Sequence, residues 1–289
     1  MNCHRHSNRL FFYSVVLLFL GGCAEQVRRP VRICPGKASV DEAISVLDSR
    51  IKGAVPLRAR GQCLLRYKDQ ARKTAAQNFP VQLWLNPPYR IYMQGNVAVD
   101  PRAVVVGANE EEFWLIIRPK EISSYYWGKW NEASYVDELV VSPKIVLEAF
   151  GILTMGGQGT GGETWRLAKE GAYDVLTSHD EDGRMLRRIY VYNCDYLVRR
   201  IEYMDKTEQV AVVAELGGYR RVAEGFLAPT TIMVSKRTGD GRDDSIKITL
   251  SSLEPAAFSE KVQNRIFSRP KSQGFKHVYR VADGNMIEE

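Results

Sequence analysis

Apolar and polar residues alternate in short segments along most of the chain after residue 56. These segments are five to ten residues long, rich in Val, Ile, Tyr, Phe and Trp, and separated by Gly, Pro, Asn and Asp, a pattern typical of strands. The pattern predicts strands at 57–67, 79–85, 89–97, 103–108, 112–118 and 123–127, and then at 164–169, 172–179, 185–193, 197–204, 209–216, 228–235 and 245–253. Hairpin-type turns join the later strands, so we expect an antiparallel sheet.

Two segments have helical spacing instead. Ser39 and Glu42 form a capping box before apolar positions that continue to Gly53, and Ser142 with Pro143 is a typical helix start. The segment 151–162 contains six glycines and no following Gly-Lys-Ser/Thr, which predicts a flexible loop and excludes a phosphate-binding loop. Because two short helices cannot cover a large flat sheet, the sheet is expected to curl around its apolar face.

The N-terminus has a different pattern. An apolar run of about eleven residues follows Arg5 and Arg9, too short for a bilayer span of about twenty residues. We therefore predict a signal peptide at 1–22. The sequence Leu20-Gly21-Gly22-Cys23 resembles the lipobox of bacterial lipoproteins, in which the new N-terminal cysteine carries acyl chains. The alternative is a soluble secreted protein cut near Ala24.

These patterns divide the chain into four parts: the lipoprotein signal peptide 1–22, a membrane tether 23–38, one β-rich domain 39–284 and a tail 285–289. The tether contains Arg28, Arg29 and Arg32, which either contact anionic headgroups or remain solvated. By resemblance to the sorting rule of well-studied diderm bacteria, Ala24 after the cysteine favours the outer membrane, with the domain facing the periplasm.

Composition and charge exclude several functions. The formal charge of +6 falls to +4 without Arg5 and Arg9, which is too low to favour nucleic acid. No catalytic motif and no metal-binding spacing occurs, so we predict neither an enzyme nor a metal or other cofactor. In the mature chain Cys34, Cys63 and Cys194 allow at most one bridge, with three pairings open. Cys63 alternates in phase with apolar residues, which predicts a buried, inert thiol.

The hairpin near residue 195 permits a prediction of which side chains share a face. If Tyr192 pairs with Leu197 across the turn, strict alternation fixes the rest. One face would then contain Leu186, Arg188, Tyr190, Tyr192, Leu197, Arg199, Ile201 and Tyr203, and the other Arg187, Arg200 and Glu202. Because buried unpaired arginines are costly, Arg188 and Arg199 are expected at a rim, beside carboxylates or against an anionic headgroup.

The order of elements and three short phrases resemble the LolA/LolB family of envelope lipoprotein carriers. The phrases are Glu111 to Pro119, Leu227 to Ile232, and Phe267 with Pro270 and Gly274. The resemblance covers about residues 39–284. It implies a mainly β (α+β) fold, a strongly curved antiparallel unclosed β-barrel with a helical lid, and an apolar cavity for acyl chains. Val99 to Arg102 offers no exposed leucine of the kind the anchored family member uses to pass on cargo.

Two functions follow as expectations. The first is an envelope lipoprotein, possessing a membrane anchor at Cys23, that binds an acyl chain, lipid or lipoprotein and acts in lipoprotein localisation or lipid handling. Its cavity would be lined by Leu83, Met93, Leu115, Ile117, Leu186, Tyr190, Tyr192, Leu197, Ile201 and Tyr203, with Arg188 and Arg199 at the headgroup. The second is a structural or regulatory lipoprotein with a filled core that binds a protein partner through Tyr125, Tyr126, Trp127, Trp130 and Tyr135, unless these aromatic side chains simply pack the barrel.

Overall fold

A computed structural model describes residues 34–68, 73–97, 100–119, 122–130, 143–150, 162–237, 244–282 and 285–289. The described residues belong to one compact unit. The predictions for the signal peptide, for Cys23, for Tyr135, for most of the tether and for most of the glycine-rich segment 151–162 lie outside these ranges.

The described residues form three helices, α1 (Val40–Lys52), α2 (Pro143–Ala149) and α3 (Glu260–Ile266). The capping box at α1 is confirmed, because the Ser39 hydroxyl accepts a hydrogen bond from the backbone N–H of Glu42 at 3.2 Å. Helix α2 begins at Pro143, the predicted first helical residue, whereas its predicted N-cap Ser142 lies outside the described ranges. Helix α3 was not predicted, and it has no buried residue that would have produced an apolar stripe.

The same ranges contain seventeen strands. They are β1 (Leu57–Lys68), β2 (Thr74–Asn86), β3 (Arg90–Val97), β4 (Asp100–Ala108), β5 (Glu112–Ile117), β6 (Ser124–Lys129), β7 (Thr164–Glu170), β8 (Tyr173–His179), β9 (Met185–Tyr192), β10 (Val198–Met204), β11 (Val210–Gly217), β12 (Arg220–Ala223), β13 (Phe226–Ala228), β14 (Thr231–Lys236), β15 (Asp244–Pro255), β16 (His277–Ala282) and β17 (Asn285–Glu288). Every predicted strand is present. The hairpin β12–β13 and the strands β16 and β17 were not predicted, and β17 occupies most of the expected tail.

Fifteen strands form one sheet in the order β17-β16-β6-β5-β4-β3-β2-β1-β15-β14-β11-β10-β9-β8-β7. The two meanders of the chain meet where β15 pairs with β1. All neighbours are antiparallel except β16 and β6, which pair in parallel. Among the described strands, β7 and β17 remain as two free edges, so the predicted antiparallel, unclosed sheet is confirmed.

The contacts of α2 show that this sheet is strongly curved. Helix α2 touches β4 and β5 in one half of the sheet and β11 in the other. Strands β4 and β11 are six positions apart, which is about 29 Å across a flat sheet. The helix has seven residues and is only about 10 Å long. The sheet must therefore curl around the helix.

One large apolar core lies on the inner face of the curled sheet. Alternate residues of the strands point into it, as in β2, where Phe79, Val81, Leu83 and Leu85 are all buried. Helix α1 contributes Ala43 and Leu47, α2 contributes Ile145, Leu147 and Ala149, and Phe150 follows directly after α2. The predicted buried thiol of Cys63 is confirmed in this core, and its burial raises the pKa of the thiol to about 12.

A smaller core on the outer face is covered by the C-terminal segment. Trp114 and Tyr125 are fully buried there; Tyr125 packs on Phe275 at 5.3 Å and donates a hydrogen bond to the Pro270 carbonyl at 2.6 Å. Arg269 lies over the Trp127 ring at 4.0 Å. On the inner side of the sheet, Tyr126 stacks on Tyr279 at 5.2 Å and Trp130 packs on Phe113 at 5.0 Å, both against the large core. These aromatic side chains therefore pack within the chain.

Candidate functional site

Five of the ten residues predicted to line a cavity are buried in the inner core, and Ile117 packs against it. The five are Leu83, Met93, Leu115, Ile201 and Tyr203. They come from both halves of the sheet, because the sheet curls and brings its two meanders around one interior. Leu197 is also buried, just before β10. The remaining three residues are in β9 and do not lie on this face.

The prediction for β9 was wrong because β10 contains a bulge. The Tyr192 N–H donates to the Leu197 carbonyl at 3.0 Å, so the assumed pairing across the turn is correct. The register then shifts by one residue between Val198 and Arg200. A one-residue shift reverses which side chains share a face. Leu186, Arg188, Tyr190 and Tyr192 therefore lie on the outer face, opposite Ile201 and Tyr203.

The two predicted headgroup arginines are used within the chain instead. Arg188 is on the outer face, with its Nε 3.7 Å from Glu202 Oε2. Arg199 lies at the bulge, forms an ion pair with Asp195, and has its guanidinium over the rings of Tyr192 and Tyr219 at 5.6 and 5.2 Å. Neither arginine points into the inner core. The register shift places Arg187 there, which alternation had assigned to the other face.

Arg187 is the centre of a buried charged cluster beneath α2. Its Nη1 is 2.5 Å from Glu148 Oε1 in α2, and its Nη2 is 3.1 Å from Glu163 Oε2, just before β7. The Tyr203 hydroxyl donates to the second Glu148 oxygen. Each of these three charged side chains is less than one tenth exposed. Burial acts to lower the pKa of Arg187, but the charges of Glu148 and Glu163 outweigh burial and raise that pKa.

The cluster belongs to a row of side chains that crosses four strands. Trp165 in β7 is paired with Ser178 in β8, Ser178 with Arg187 in β9, and Arg187 with Tyr203 in β10. Directly opposed residues in neighbouring strands point to the same face. Because Ser178 is small, the Arg187 guanidinium extends across it and lies 5.1 Å from the centre of the Trp165 ring.

A cavity of about 40 Å³ lies between α1, the turn before β10 and the hairpin β12–β13. This volume holds a few water molecules and is far below the roughly 300 Å³ at which ligand pockets begin. Burial raises the pKa of the Tyr219 hydroxyl, which donates to the Val198 carbonyl at 2.6 Å. The cavity is lined by Leu47, Arg50, Ile51, Tyr196, Leu197, Val198, Tyr219, Phe226 and Leu227.

The start of the described chain is attached to the same end of the sheet. Of the three pairings left open, the structure has the disulfide Cys34–Cys194. Close by, the buried Asp174 carboxylate accepts hydrogen bonds from the Lys37 N–H at 2.7 Å and from the Tyr196 hydroxyl at 3.2 Å. A Cβ on Gly36 would lie 1.9 Å from Asp174 Oδ1, so this close approach requires glycine.

Within the ranges that the structure describes, no helix has the length and apolarity that a bilayer span requires. The same ranges contain no group of three or more His, Cys, Asp or Glu side chains placed to hold a metal ion.

No protein-family model matches the sequence, and no curated protein matches it significantly. Solved structures do match. A LolA superfamily protein from Nitrosomonas europaea aligns with 81% of this chain and 99% of its own, at 10% identity and a TM-score of 0.51. A domain assigned to outer membrane lipoprotein sorting, from Vibrio parahaemolyticus, covers 78% of this chain and 97% of its own, at 10% identity and a TM-score of 0.53.

A third structure, a DUF1329 family protein from Desulfovibrio piger, covers 78% of this chain and 97% of its own, at 11% identity and a TM-score of 0.51. Sequence identities this low establish a shared fold and nothing about activity. The expected architecture is confirmed: the chain has the LolA/LolB-like fold, a large unclosed antiparallel sheet that curls around an apolar inner face beneath short helices.

Proposed function

We propose that this protein is an envelope lipoprotein that binds an acyl chain of a lipid or lipoprotein against the inner face of its curled sheet. The observation that carries the proposal is how that face is covered. A second sheet would cover it permanently, whereas here the seven-residue helix α2 lies over its centre. A short helix is displaced more readily than a sheet, because fewer backbone hydrogen bonds and side-chain contacts hold it in place.

The inner core is filled, so an acyl chain must take the place of side chains that already occupy it. Ile145 and Leu147 of α2, with Phe150 directly after the helix, are the apolar groups it would replace. Each methylene that enters contributes about 0.8 kcal/mol. Binding therefore replaces the contacts that these side chains make with the sheet by contacts between the acyl chain and the sheet. The Vibrio parahaemolyticus domain with this fold is assigned to outer membrane lipoprotein sorting, which agrees with such a ligand.

The proposal includes an acyl anchor at Cys23 and a location on the outer membrane, facing the periplasm. The disulfide Cys34–Cys194 supports a location outside the cytoplasm, because disulfides persist in oxidising compartments. The anchor is tested by growing cells with labelled palmitate. The full chain should incorporate the label and Cys23→Ala should not; equal labelling of both would contradict the anchor.

The alternative function is that of a structural or regulatory envelope lipoprotein that binds a protein partner through the aromatic patch that includes Tyr125 and Trp127. Tyr125 and Trp127 are covered by Phe275 and Arg269 of the same chain, so this surface is not available as predicted. We therefore propose lipid binding as the function, and binding rather than catalysis.

The test uses tryptophan fluorescence with a neutral, chain-labelled probe, the methyl ester of doxyl-stearic acid. The nitroxide quenches only tryptophans near the bound chain. Trp165 packs against the inner core, whereas Trp114 is buried on the outer face, so the two positions form a matched pair. The full chain carrying Cys23→Ala avoids competition from its own acyl groups.

We expect saturable quenching of the ligand-stripped protein. It should be clearly reduced in Trp165→Phe and unchanged in Trp114→Phe, and Trp130, which also packs against the inner core, accounts for the quenching that remains. Absence of saturable quenching in the folded protein would overturn the proposal, and equal loss in both variants would place the ligand elsewhere.

A further inference from the structure

Three polar groups of the row across β7, β8 and β9 are buried without a hydrogen-bond partner in the described structure. They are Trp165 Nε1, Ser178 Oγ and Arg187 Nε. Ser178 is completely buried and Arg187 is 3% exposed. Buried polar groups nearly always have partners, and each group left without one costs free energy. A cluster of three on adjacent strands therefore calls for an explanation.

All three groups can donate hydrogen bonds, and two of them can do nothing else. The indole Nε1 and the guanidinium Nε donate hydrogen bonds and cannot accept them, and the serine hydroxyl can donate as well. The missing partner is therefore an acceptor, meaning an oxygen atom. A ligand group that only donates hydrogen bonds, such as an ammonium group, could not pair with either of these N–H groups.

The acceptors that Arg187 already has do not belong to the sheet. Glu148 is in α2, and Glu163 precedes β7. The donors Trp165, Ser178 and Arg187 are all in strands and stay in place when α2 moves. Displacement of α2 would remove Glu148 and leave Arg187 with one carboxylate and a free side of its guanidinium. The guanidinium N–H that Glu148 releases is buried and would lack an acceptor, so the vacated position favours an oxygen group that replaces the Glu148 carboxylate.

We infer that the ligand carries an anionic oxygen group, a carboxylate or a phosphate, at the end of its acyl chain. This group takes the place of Glu148 at Arg187 and accepts hydrogen bonds from Trp165 and Ser178. The inference rests on the proposed function, because it names the class of ligand that the inner face binds. Guanidinium and planar or tetrahedral oxyanions fit each other in geometry as well as charge.

The experiment compares three sixteen-carbon ligands with radioactive labels, below their micelle concentrations: palmitate, 1-palmitoyl lysophosphatidate and hexadecanol. They share a chain and differ in the head, so the two anions separate a carboxylate from a phosphate. The protein is the full chain with Cys23→Ala. We expect at least one anion to bind about tenfold or more tightly than hexadecanol, as charge-assisted hydrogen bonds in a buried site predict.

The variant that tests the donors is Trp165→Phe/Ser178→Ala. It removes two polar groups that have no hydrogen-bond partner in the described structure, so no hydrogen bond within the protein is lost, and phenylalanine keeps an aromatic ring against the Arg187 guanidinium. We expect the ratio of anion affinity to hexadecanol affinity to fall about tenfold, since this ratio cancels any effect of the variant on binding of the chain itself. Trp114→Phe is the matched control, because Trp114 Nε1 is also buried without a partner but lies on the outer face. It should keep the full preference.

The outcomes separate the inference from the proposed function. If all three ligands bind equally, or if the double variant keeps the preference, the inference is overturned and the proposed function stands. If none of the three binds the folded protein, both are overturned. Loss of the preference in Trp114→Phe as well would also overturn the inference, because the effect would not come from the row.

Discussion

Arg187 of β9 and Glu148 of α2 form an ion pair with Nη1 2.5 Å from Oε1, and each side chain is less than one tenth exposed. This pair links the sheet to the helix that covers its inner face. Breaking one side of a buried pair leaves the other charge uncompensated, which costs more than an exposed pair contributes. The pair therefore holds α2 against the sheet in the closed structure.

The first prediction concerns this ion pair. Glu148→Gln keeps the shape of the side chain but removes its charge, so the free energy of unfolding in urea should fall by about 1–3 kcal/mol. Asp182→Asn is the control, because the Asp182 side chain is 83% exposed and 3.9 Å from Arg184. It should leave the unfolding curve unchanged. Equal curves for both variants would show that the buried pair does not stabilise the fold.

The second prediction tests the register of β9 and β10. Ile201 is completely buried on the inner face, whereas Tyr190 lies on the outer face and is partly exposed. Ile201→Glu should destabilise the protein by about 4 kcal/mol or more, since it buries a charge without a partner. Tyr190→Glu should cost less than about 1.5 kcal/mol. Thermal unfolding compares the two variants, and similarly large losses in both would restore the face assignment of uninterrupted pairing, which places Tyr190 and Ile201 on one face.

The third prediction concerns the disulfide Cys34–Cys194, which closes a loop with a sequence separation of 160. Such a long loop restricts the unfolded chain strongly, so reduction should lower the free energy of unfolding by about 2–5 kcal/mol. The variant Cys34→Ser/Cys194→Ser should match the reduced protein and should not respond to reductant. A further loss of stability in this variant on reduction would place the bridge elsewhere.

The fourth prediction concerns alkaline pH. Burial raises the pKa of the Cys63 thiol from 9.0 to about 12. Below pH 9 the thiol is protonated in both the folded and unfolded states and adds no pH dependence. Between pH 9 and 12 only the unfolded chain releases the proton, so the free energy of unfolding falls by up to about 1.4 kcal/mol per pH unit.

Cys63→Ala removes this contribution while the tyrosines continue to titrate. The difference between wild type and variant in chemical denaturation should therefore shrink as the pH rises above 9. Parallel curves from pH 8 to pH 11 would contradict the raised pKa of this thiol.

Local patterns predicted most of the secondary structure. Strand β2 has alternating apolar residues, β5 is a short continuous apolar run between turn-forming residues, and the cap of α1 requires only Ser39 and Glu42. These signals depend on neighbours in sequence. Strand β16 escaped prediction because it is defined by its parallel pairing with β6, about 150 residues earlier in the chain. Its sequence, His277 to Ala282, has no clear alternation of buried and exposed positions.

The sequence predicted only part of the candidate site, because the register between β9 and β10 shifts by one residue. The shift between Val198 and Arg200 exchanges the two faces of β9, so Arg187 replaces Arg188 on the inner face. Neither strand signals this bulge, because both phases of β9 contain apolar residues and an arginine. The partners Glu148 and Glu163 come from other elements, so the sequence offered no means of placing them beside Arg187.

The sequence by itself determined which segments are strands, that they pair mainly as hairpins, and that one apolar face must be hidden, because alternation and turn chemistry act between near neighbours. Tertiary structure alone decided that α2 contacts both halves of the sheet, that Cys34 forms a disulfide with Cys194, and that Arg187 forms an ion pair with Glu148. Those relationships depend on how far the sheet curls and on a single bulge, which arise from packing across the whole domain.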